Sequence, residues 1–291
     1  MPRSIAAALV PLALLAPCAA RGATPRADHV VVVVMENRAY DQVRSLPYAA
    51  SLIAHGALFT RSHAITHPSQ PNYLELFAGE MLGVFTDECP PPGVPLTAEN
   101  LGHACEAAGL TWRAYCEGLP AAGSDTCSYD GDPGDGLYTR KHAPWTLFSN
   151  LTQSNARPWS DFAADLAARR LPALAFVLPN NCHNSHNLVP GCGPAEADAW
   201  MAEALPPVLR ALGPRGVLIL TWDEDDKKTD NHILTVFAGP LVRPGAVSAQ
   251  PVTHLTVLRT ICDLLGLKPI GAAAREAPIR GVWAVSPAPT R

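Results

Sequence analysis

The stretch Thr66-His67-Pro68-Ser69-Gln70-Pro71-Asn72-Tyr73 places one hydroxyl, that of Ser69, on a turn restrained by two prolines. Pro71 suits the first turn of a helix, where the missing N–H of proline costs nothing, and Ser69 then falls at the predicted N-cap. A helix start presents free N–H groups and a partial positive charge, which together attract a phosphate oxygen. Ser69 is therefore a candidate nucleophile for phosphoryl transfer, although serine at a helix start also serves as an ordinary N-cap.

Two oxygen-rich clusters directly follow two predicted strands. Glu36-Asn37 comes after the valine-rich run 29–35, and Asp223-Glu224-Asp225-Asp226 comes after the run 217–222. Carboxylates that lie side by side repel each other and favour a cation between them. Oxygen ligands suit a hard divalent ion such as Mg²⁺, Ca²⁺ or Mn²⁺. Acidic residues after one strand can simply form a solvated turn, but two such clusters at one sheet edge favour a metal site.

Histidines cluster in the predicted loops and at one helix start. A loop histidine is usually a surface residue, but several that share one sheet edge are candidates for binding an anion or donating a proton. These histidines are His63, His67, His142, His183, His186, His232 and His254. A phosphoryl-transfer site needs a nucleophile, a cation, hydrogen-bond donors and an acid for the leaving group. The sequence offers a candidate for each.

Short apolar runs alternate with helical patterns along the chain. The predicted strands are 29–35, 58–65, 111–115, 173–178, 217–222 and 234–238, and the predicted helices are 47–55, 71–78, 97–108, 160–169, 195–212 and 253–265. Ser160 is the predicted cap of its helix, Pro206-Pro207 should break or kink another, and 117–139 and 180–193 are predicted loops. The alternation predicts an α/β fold with a mostly parallel central sheet and helices on both faces, a three-layer sandwich. Ligands in such folds bind beyond the carboxyl ends of the strands.

The composition indicates a globular, exported protein. Of the 291 residues 48% are hydrophobic and 16% charged, and the net charge is −4 without a long basic run, which argues against a nucleic-acid partner. Residues 1–23 are predicted to be a secretory signal, with Arg3 followed by an apolar stretch too short for a membrane span and then small residues. Residues 24–291 are predicted to form a single domain, secreted or periplasmic. Cys18 lies in a weak lipoprotein-like context.

Cysteine usage agrees with export, because most of the remaining cysteines lie in or beside Gly/Pro-rich loops. Sequence alone does not fix the connectivity, but proximity suggests the pairs Cys116–Cys127, Cys182–Cys192 and Cys89–Cys105. Cys262 falls in an apolar helical pattern and is expected to be a buried free thiol. Zinc binding by cysteine is disfavoured because the sequence has no CxxC pair.

Taken together, the motifs resemble the phosphoesterase family of secreted acid phosphatases and bacterial phospholipases C, within the alkaline-phosphatase-like superfamily. The compact length is more similar to acid phosphatases that act on phosphomonoesters, including phosphoinositide phosphates, than to the longer phospholipases. The matching stretches run in order over nearly the whole mature chain: Val34-Met35-Glu36-Asn37-Arg38, His67-Pro68-Ser69-Gln70-Pro71-Asn72-Tyr73, Tyr138-Thr139-Arg140-Lys141-His142-Ala143-Pro144-Trp145, Thr221-Trp222-Asp223-Glu224-Asp225-Asp226, His232-Ile233-Leu234-Thr235-Val236-Phe237 and His254-Leu255-Thr256-Val257-Leu258-Arg259-Thr260.

The resemblance implies a phosphoric monoester hydrolase that uses one divalent metal ion, whose identity among Mg, Ca, Mn and Zn the ligand types do not distinguish. Ser69 would attack phosphorus and form a phosphoserine that water then hydrolyses. The implied metal ligands are Glu36, Asn37, Asp223, Glu224 and the oxygen of Ser69. Asn72 would donate to a phosphate oxygen, His142 and His186 would bind phosphate, with one protonating the leaving oxygen, and His254 would be a further contact.

One loop departs from the family pattern, because Asn184 and Asn187 stand where the family usually has aspartates. The change leaves room for weaker activity or a different substrate. This change keeps open the alternative of a weakly catalytic protein that binds phosphorylated ligands, and a phospholipase C-type phosphodiesterase with the same nucleophile and metal is a second alternative. A sulfatase is disfavoured because Tyr73 stands where the sulfatase motif requires arginine.

Overall fold

The computed structural model describes residues 24–129, 137–186 and 190–284. The predicted signal segment 1–23, with Cys18, and Asn187 lie outside the described residues. The strands are β1 (His29–Met35), β2 (Ala57–Phe59), β3 (Trp112–Cys116), β4 (Ser128–Tyr129), β5 (Tyr138–Thr139), β6 (Ala156–Pro158), β7 (Leu174–Leu178), β8 (Gly216–Trp222), β9 (Thr235–Ala238) and β10 (Ala246–Ser248). The α-helices are α1 (Tyr40–Val43), α2 (Pro47–His55), α3 (Ser69–Ala78), α4 (Leu101–Ala107), α5 (Trp159–Ala167), α6 (Pro194–Ala211) and α7 (His254–Leu265), and the 3₁₀ turns are Arg140–His142, Pro144–Leu147, Gln153–Asn155 and Gly271–Arg275.

Eight strands form one sheet in the order β10-β2-β9-β8-β1-β7-β3-β6. The strands pair in parallel except at β9, which is antiparallel to both β8 and β2. The strands β4 and β5 form a separate antiparallel pair inside the segment that the sequence predicts as a loop. The prediction of a mostly parallel central sheet is therefore confirmed.

The valine-rich strand β1 explains why helices cover both faces of this sheet. Its side chains alternate between two cores, with Val30, Val32 and Val34 packing on the side of α3, α4 and α7. Val31, Val33 and Met35 pack on the opposite side, with α1, α2, α5 and α6. A strand buried on both faces must be apolar throughout, and the resulting three layers confirm the predicted sandwich.

The register of β1 and β8 places the two acidic clusters together. Met35 pairs with Trp222 in the parallel ladder, so Glu36 and Asp223 leave the sheet side by side. The backbone N–H of Asp223 donates to the Met35 carbonyl at 2.9 Å. Strand β7 flanks β1 on its other side, and the loop after it reaches the same point, where the Glu36 N–H donates to the Asn184 carbonyl at 2.8 Å.

Several local predictions are wrong. Ser160 lies inside α5, whose N-cap is Pro158, because Trp159 is drawn into the helix by its ring contacts with Phe162 and Trp200. Ser69 is the first residue of α3 and not its cap, which is Pro68. The structure also contains β6 and β10, which no sequence pattern predicted, and the strand predicted at 58–65 shortens to β2.

Helix α6 runs without interruption through Pro206 and Pro207, so a break at these residues is wrong, and the alternative prediction of a kink stays a prediction. The flanking side chains of Leu205 and Val208 are fully buried. Packing of an apolar helix face supplies most helical stability in proteins, and here it offsets the hydrogen bonds that the two prolines cannot make.

The disulfides only partly follow sequence proximity. The pair Cys182–Cys192 is confirmed, whereas the predicted pairs Cys116–Cys127 and Cys89–Cys105 are wrong because Cys89 pairs with Cys127. Cys105 and Cys116 are held in the core by α4 and β3, and burial raises their thiol pKa values. Cys262 is a buried free thiol, as predicted.

Within the part of the chain that the structure describes, no helix combines the length and the apolar character that a membrane crossing requires.

Candidate active site

Three buried carboxyl groups meet beyond the ends of β1 and β8. Glu36, Asp223 and Glu224 are each at most 1% exposed. Burial, reinforced by Asp223, raises the pKa of Glu36 well above its ordinary value, and burial together with Glu224 does the same to the pKa of Asp223. Burial, with Asp87 nearby, raises the pKa of Glu224 to about 7. Such a cluster is stable as carboxylates only if a positive charge joins it.

Asn37 completes this carboxylate cluster. Its backbone N–H donates to Asp223 Oδ1 at 3.1 Å and its amide nitrogen donates to Glu224 Oε1 at 3.3 Å. Its φ of 41° lies in the left-handed region, a strained conformation that asparagine tolerates better than most residues. Among the described residues, Asp223 Oδ2 and Asn37 Oδ1 are buried without a hydrogen-bond partner. Two unpartnered oxygens aimed into an acidic cluster fit a divalent cation.

The Ser69 hydroxyl lies against this cluster from the start of α3. Its Oγ is 3.2 Å from Glu36 Oε2 and 3.4 Å from Glu224 Oε1, and its side chain is almost fully buried. The turn that the two prolines restrain therefore brings Ser69 to the residues that follow β1 and β8, although these segments are far apart in sequence. Either carboxylate can accept the hydroxyl proton.

Asn72 holds the turn that precedes α3. Its Oδ1 accepts from the backbone N–H groups of Ile65 and Thr66 at 3.1 Å each, and its Nδ2 donates to the Thr66 carbonyl at 2.8 Å. The same nitrogen lies 3.5 Å from Glu224 Oε2. Asn72 is therefore close to the site and fixes the approach of Ser69, while its donation to a phosphate oxygen stays a prediction.

Two imidazoles, those of His142 and His186, lie beside Glu36. Glu36, His142 and His186 each offer a ligand atom, and these three atoms lie within 4.8 Å of one another. His142 Nε2 is 3.2 Å from Glu36 Oε1, and burial, with Lys141 beside it, holds the pKa of His142 well below its ordinary value. A neutral imidazole can bind a metal ion or donate one N–H to a phosphate oxygen. This triad is a second geometry in which the described residues could hold a cation.

His254, at the start of α7, contacts the backbone of the site at Asp223. Its Nε2 lies 2.6 Å from the backbone carbonyl of Asp223, and because a carbonyl only accepts, Nε2 carries the proton. Burial lowers the pKa of His254 to about 4. The ring thus fixes the end of β8, and the direct phosphate contact assigned to it stays a prediction.

Three residues near the site, Tyr73, Asp87 and Lys141, have no role predicted from the sequence, and a fourth, His67, is among the histidines predicted to bind an anion or donate a proton. Tyr73 OH donates to Glu36 Oε1 at 2.5 Å, and His67 Nδ1 lies 2.8 Å from Glu224 Oε2. Asp87 accepts from the Gln70 N–H at 3.0 Å through Oδ1 and from Lys141 Nζ at 3.1 Å through Oδ2. Tyr73, His67 and Lys141 lie inside the quoted motifs, whereas Asp87 has no sequence signal.

The loop that departs from the family pattern is ordered by its asparagines. Asn184 Oδ1 accepts from the His186 N–H at 2.8 Å, and Asn184 Nδ2 donates to Asn181 Oδ1 at 3.2 Å. Ser185 donates to the Glu36 carbonyl at 2.9 Å. Asn184 therefore still positions His186, in the place where the family usually has aspartate.

The fold is shared with solved structures of low sequence identity. A protein of the alkaline phosphatase superfamily from Vibrio parahaemolyticus aligns with a TM-score of 0.61 at 13% identity, over 89% of this chain and 72% of that one. Murine ectonucleotide pyrophosphatase/phosphodiesterase 5 aligns with a TM-score of 0.56 at 12% identity, over 84% of this chain and 96% of that one. The fold class is therefore alkaline-phosphatase-like.

Within that class, the chain belongs to the phosphoesterase family, whose model matches residues 42–268. A phosphatidylinositol-3-phosphatase from Mycobacterium tuberculosis is 39% identical over 268 residues, 91% of this chain and 85% of the relative. An acid phosphatase from Aspergillus fumigatus is 27% identical over 251 residues, 82% of this chain but only 55% of the relative's length. These matches confirm the predicted family and enzyme class, a phosphoric monoester hydrolase.

Proposed function

We propose that the chain is a secreted, metal-dependent acid phosphatase that cleaves phosphate monoesters through a phosphoserine intermediate. The observation that carries the proposal is the Ser69 hydroxyl, held 3.2 and 3.4 Å from oxygens of Glu36 and Glu224. Residues 1–23 are proposed to be the secretory signal and 24–291 a single phosphoesterase domain. The two disulfides support an oxidising compartment.

Glu36, Asn37, Asp223, Glu224 and the Ser69 oxygen are the proposed metal ligands. The buried, unpartnered oxygens of Asp223 and Asn37 support this set. A bound divalent ion would supply Lewis-acid stabilisation of the charge that develops on the phosphoryl oxygens.

The reaction then follows from the chain's own groups. Ser69 Oγ forms a bond to phosphorus while its proton passes to a carboxylate oxygen of Glu36 or Glu224. The ester oxygen leaves and takes a proton from an imidazolium, for which His186 is the candidate, because burial keeps the His142 imidazole neutral and suited to binding phosphate. Water then attacks the phosphoserine and gives a proton to that imidazole, while the proton held by the carboxylate returns to Ser69 Oγ as inorganic phosphate is released.

The proposed substrate class is phosphoinositide monoesters among other small phosphate monoesters. Support comes from the relative named as a phosphatidylinositol-3-phosphatase, which is similar over most of both chains. The fungal relatives named as acid phosphatases support the broader class.

The first test measures release of p-nitrophenol from p-nitrophenyl phosphate and from its bis-p-nitrophenyl diester, with and without a chelator. The parent is compared with Ser69→Ala and with Ser51→Ala, which changes an exposed serine of α2. Monoester turnover lost in Ser69→Ala and after chelation, but kept in Ser51→Ala, supports the proposal. A preference for the diester would favour the phospholipase C-type alternative. Phosphate binding without turnover in any added metal would favour the binding protein.

A phosphorylated intermediate gives an independent readout. Acid quenching of parent enzyme with ³²P-labelled substrate should leave label on the protein, and the Ser69→Ala protein should carry none. Metal-restored turnover without any trapped label would contradict the phosphoserine step.

A further inference from the structure

A long groove lies between α5 and α6, on the opposite face of the sheet from α3. Its cavity volume is about 960 Å³, within the range of sites that bind small organic ligands. Its walls are mostly apolar and include Trp159, Phe162 and Leu166 from α5 and Trp200 and Pro207 from α6. The reaction assigned to Ser69 uses none of these side chains.

The shape of the groove is elongated. Small side chains, Ala163 on α5 and Ala204 on α6, line the space between the two helices. The residues of α6 that line the groove run from Trp200 to Ala211, which spans about 16 Å at the rise of an α-helix. A mostly apolar groove of this length suits an extended hydrocarbon chain better than a ligand made of a single ring.

The carboxyl end of the groove adjoins the candidate active site. His183 and Glu117 line it there, with His183 Nδ1 2.8 Å from Glu117 Oε2, and the His183 ring stacks on Trp200 with centroids 6.3 Å apart. His183 precedes His186 by three residues in one loop, so their Cα atoms are at most about 11 Å apart. The loop that presents an imidazole to Glu36 therefore also forms the mouth of the groove.

The charges are distributed as an amphiphile requires. Charged side chains lie at its two ends, His183 and Glu117 beside the site and Arg169 and Arg210 at the far end, and the one between them on α6, Glu203, is exposed to solvent. A ligand with its polar head at the site and its tail in the groove would leave no charge buried in the apolar part. Burying the tail would add binding free energy in proportion to the apolar area covered.

We propose that the groove between α5 and α6 binds an acyl chain of a phospholipid monoester whose phosphate is removed at Ser69. The assignment rests on the proposed function. It makes acyl chain length a determinant of specificity, separate from the chemistry at phosphorus.

The test compares two adjacent exposed alanines of α5. Ala163→Phe places an aromatic ring inside the groove, while Ala164→Phe places the same side chain outside its lining. Both variants and the parent are assayed with p-nitrophenyl phosphate and with dibutanoyl and dihexadecanoyl phosphatidylinositol 3-phosphate in mixed micelles. We expect Ala163→Phe to lower kcat/KM at least tenfold for the dihexadecanoyl lipid only, and Ala164→Phe to match the parent throughout. Equal long-to-short chain ratios in the parent and Ala163→Phe would overturn the assignment.

Calorimetry separates this inference from the proposed function. Ser69→Ala protein is titrated with dioctanoyl phosphatidylinositol 3-phosphate and with its deacylated headgroup, alone and with Ala163→Phe added. Tighter binding of the lipid than of the headgroup, lost in the double variant, supports the groove even if the parent shows no turnover. Equal affinity for both ligands, or occupation of the groove by a free fatty acid that does not compete with the lipid, would refute it.

Discussion

The hydroxyl of Tyr73 offers the sharpest test of the carboxylate cluster. Tyr73 OH donates to Glu36 Oε1 at 2.5 Å inside the core, and its ring stacks on His142 with centroids 5.3 Å apart. Tyr73→Phe keeps the ring and removes only the hydrogen bond. Since a hydrogen bond to a charged group is worth about 1.5–3 kcal/mol, and 1.4 kcal/mol is a factor of about ten, metal affinity should fall roughly 10- to 100-fold.

The assay is restoration of phosphatase activity in chelator-treated protein as a divalent metal is added, with the bound metal measured in parallel by equilibrium dialysis. Tyr138→Phe is the matched control, because Tyr138 OH is buried without a hydrogen-bond partner among the described residues. We expect the half-saturating metal concentration to rise for Tyr73→Phe and to stay at the parent value for Tyr138→Phe. An unchanged metal affinity in Tyr73→Phe, or equal losses in both variants, would refute the role of Glu36 as a metal ligand.

Three further changes have defined outcomes. Asp87→Ala removes one hydrogen-bond partner of Lys141 and the acceptor of the Gln70 N–H, and steady-state assays should show kcat/KM lowered about tenfold, as for one lost charge-assisted hydrogen bond. Asp165→Ala should lower the free energy of unfolding in urea by about 2–3 kcal/mol. Burial by itself would raise the pKa of Asp165, but hydrogen bonds from Tyr115 and Arg113 outweigh it and lower that pKa. The loss of unfolding free energy should therefore persist above about pH 4 and shrink as pH falls through the folded pKa. The hydrogen bond to Glu117 raises the pKa of His183, so the destabilisation by Glu117→Gln should be largest below about pH 6.5 and disappear at higher pH.

The sequence predicts the sheet and its two acidic clusters because buried parallel strands need continuous apolar runs, which β1 and β8 provide. The polar residues that end such runs must lie at the carboxyl edge. The approach of Ser69 to Glu36 was inferred from resemblance, and the structure brings the two side chains together across 33 positions of sequence.

The parts that escaped prediction depend on tertiary contacts. Asp87 meets Lys141 across 54 positions, and no periodicity encodes such a meeting. Two of the three predicted cysteine pairs failed for the same reason, because Cys105 and Cys116 are turned into the core by their helix and strand while Cys89 and Cys127 lie outside those elements. The hydrogen bond from His254 Nε2 to the Asp223 carbonyl is likewise a tertiary contact with no sequence signal, and a phosphate contact of His254 stays a prediction.

The two disulfides constrain the segments that carry the imidazoles of the site, whereas the carboxylates follow paired strands of the sheet. Cys182–Cys192 closes the segment that carries His186, and Cys127, bonded to Cys89, accepts through its carbonyl the N–H of Arg140, the first residue of the turn that ends in His142. Glu36 and Asp223, by contrast, follow the paired strands β1 and β8, and neither strand contains a cysteine. Reduction of the two disulfides should therefore loosen the segments that carry His142 and His186 before it disturbs the β1–β8 ladder, so the imidazoles should be more sensitive to reducing agents than the carboxylate cluster.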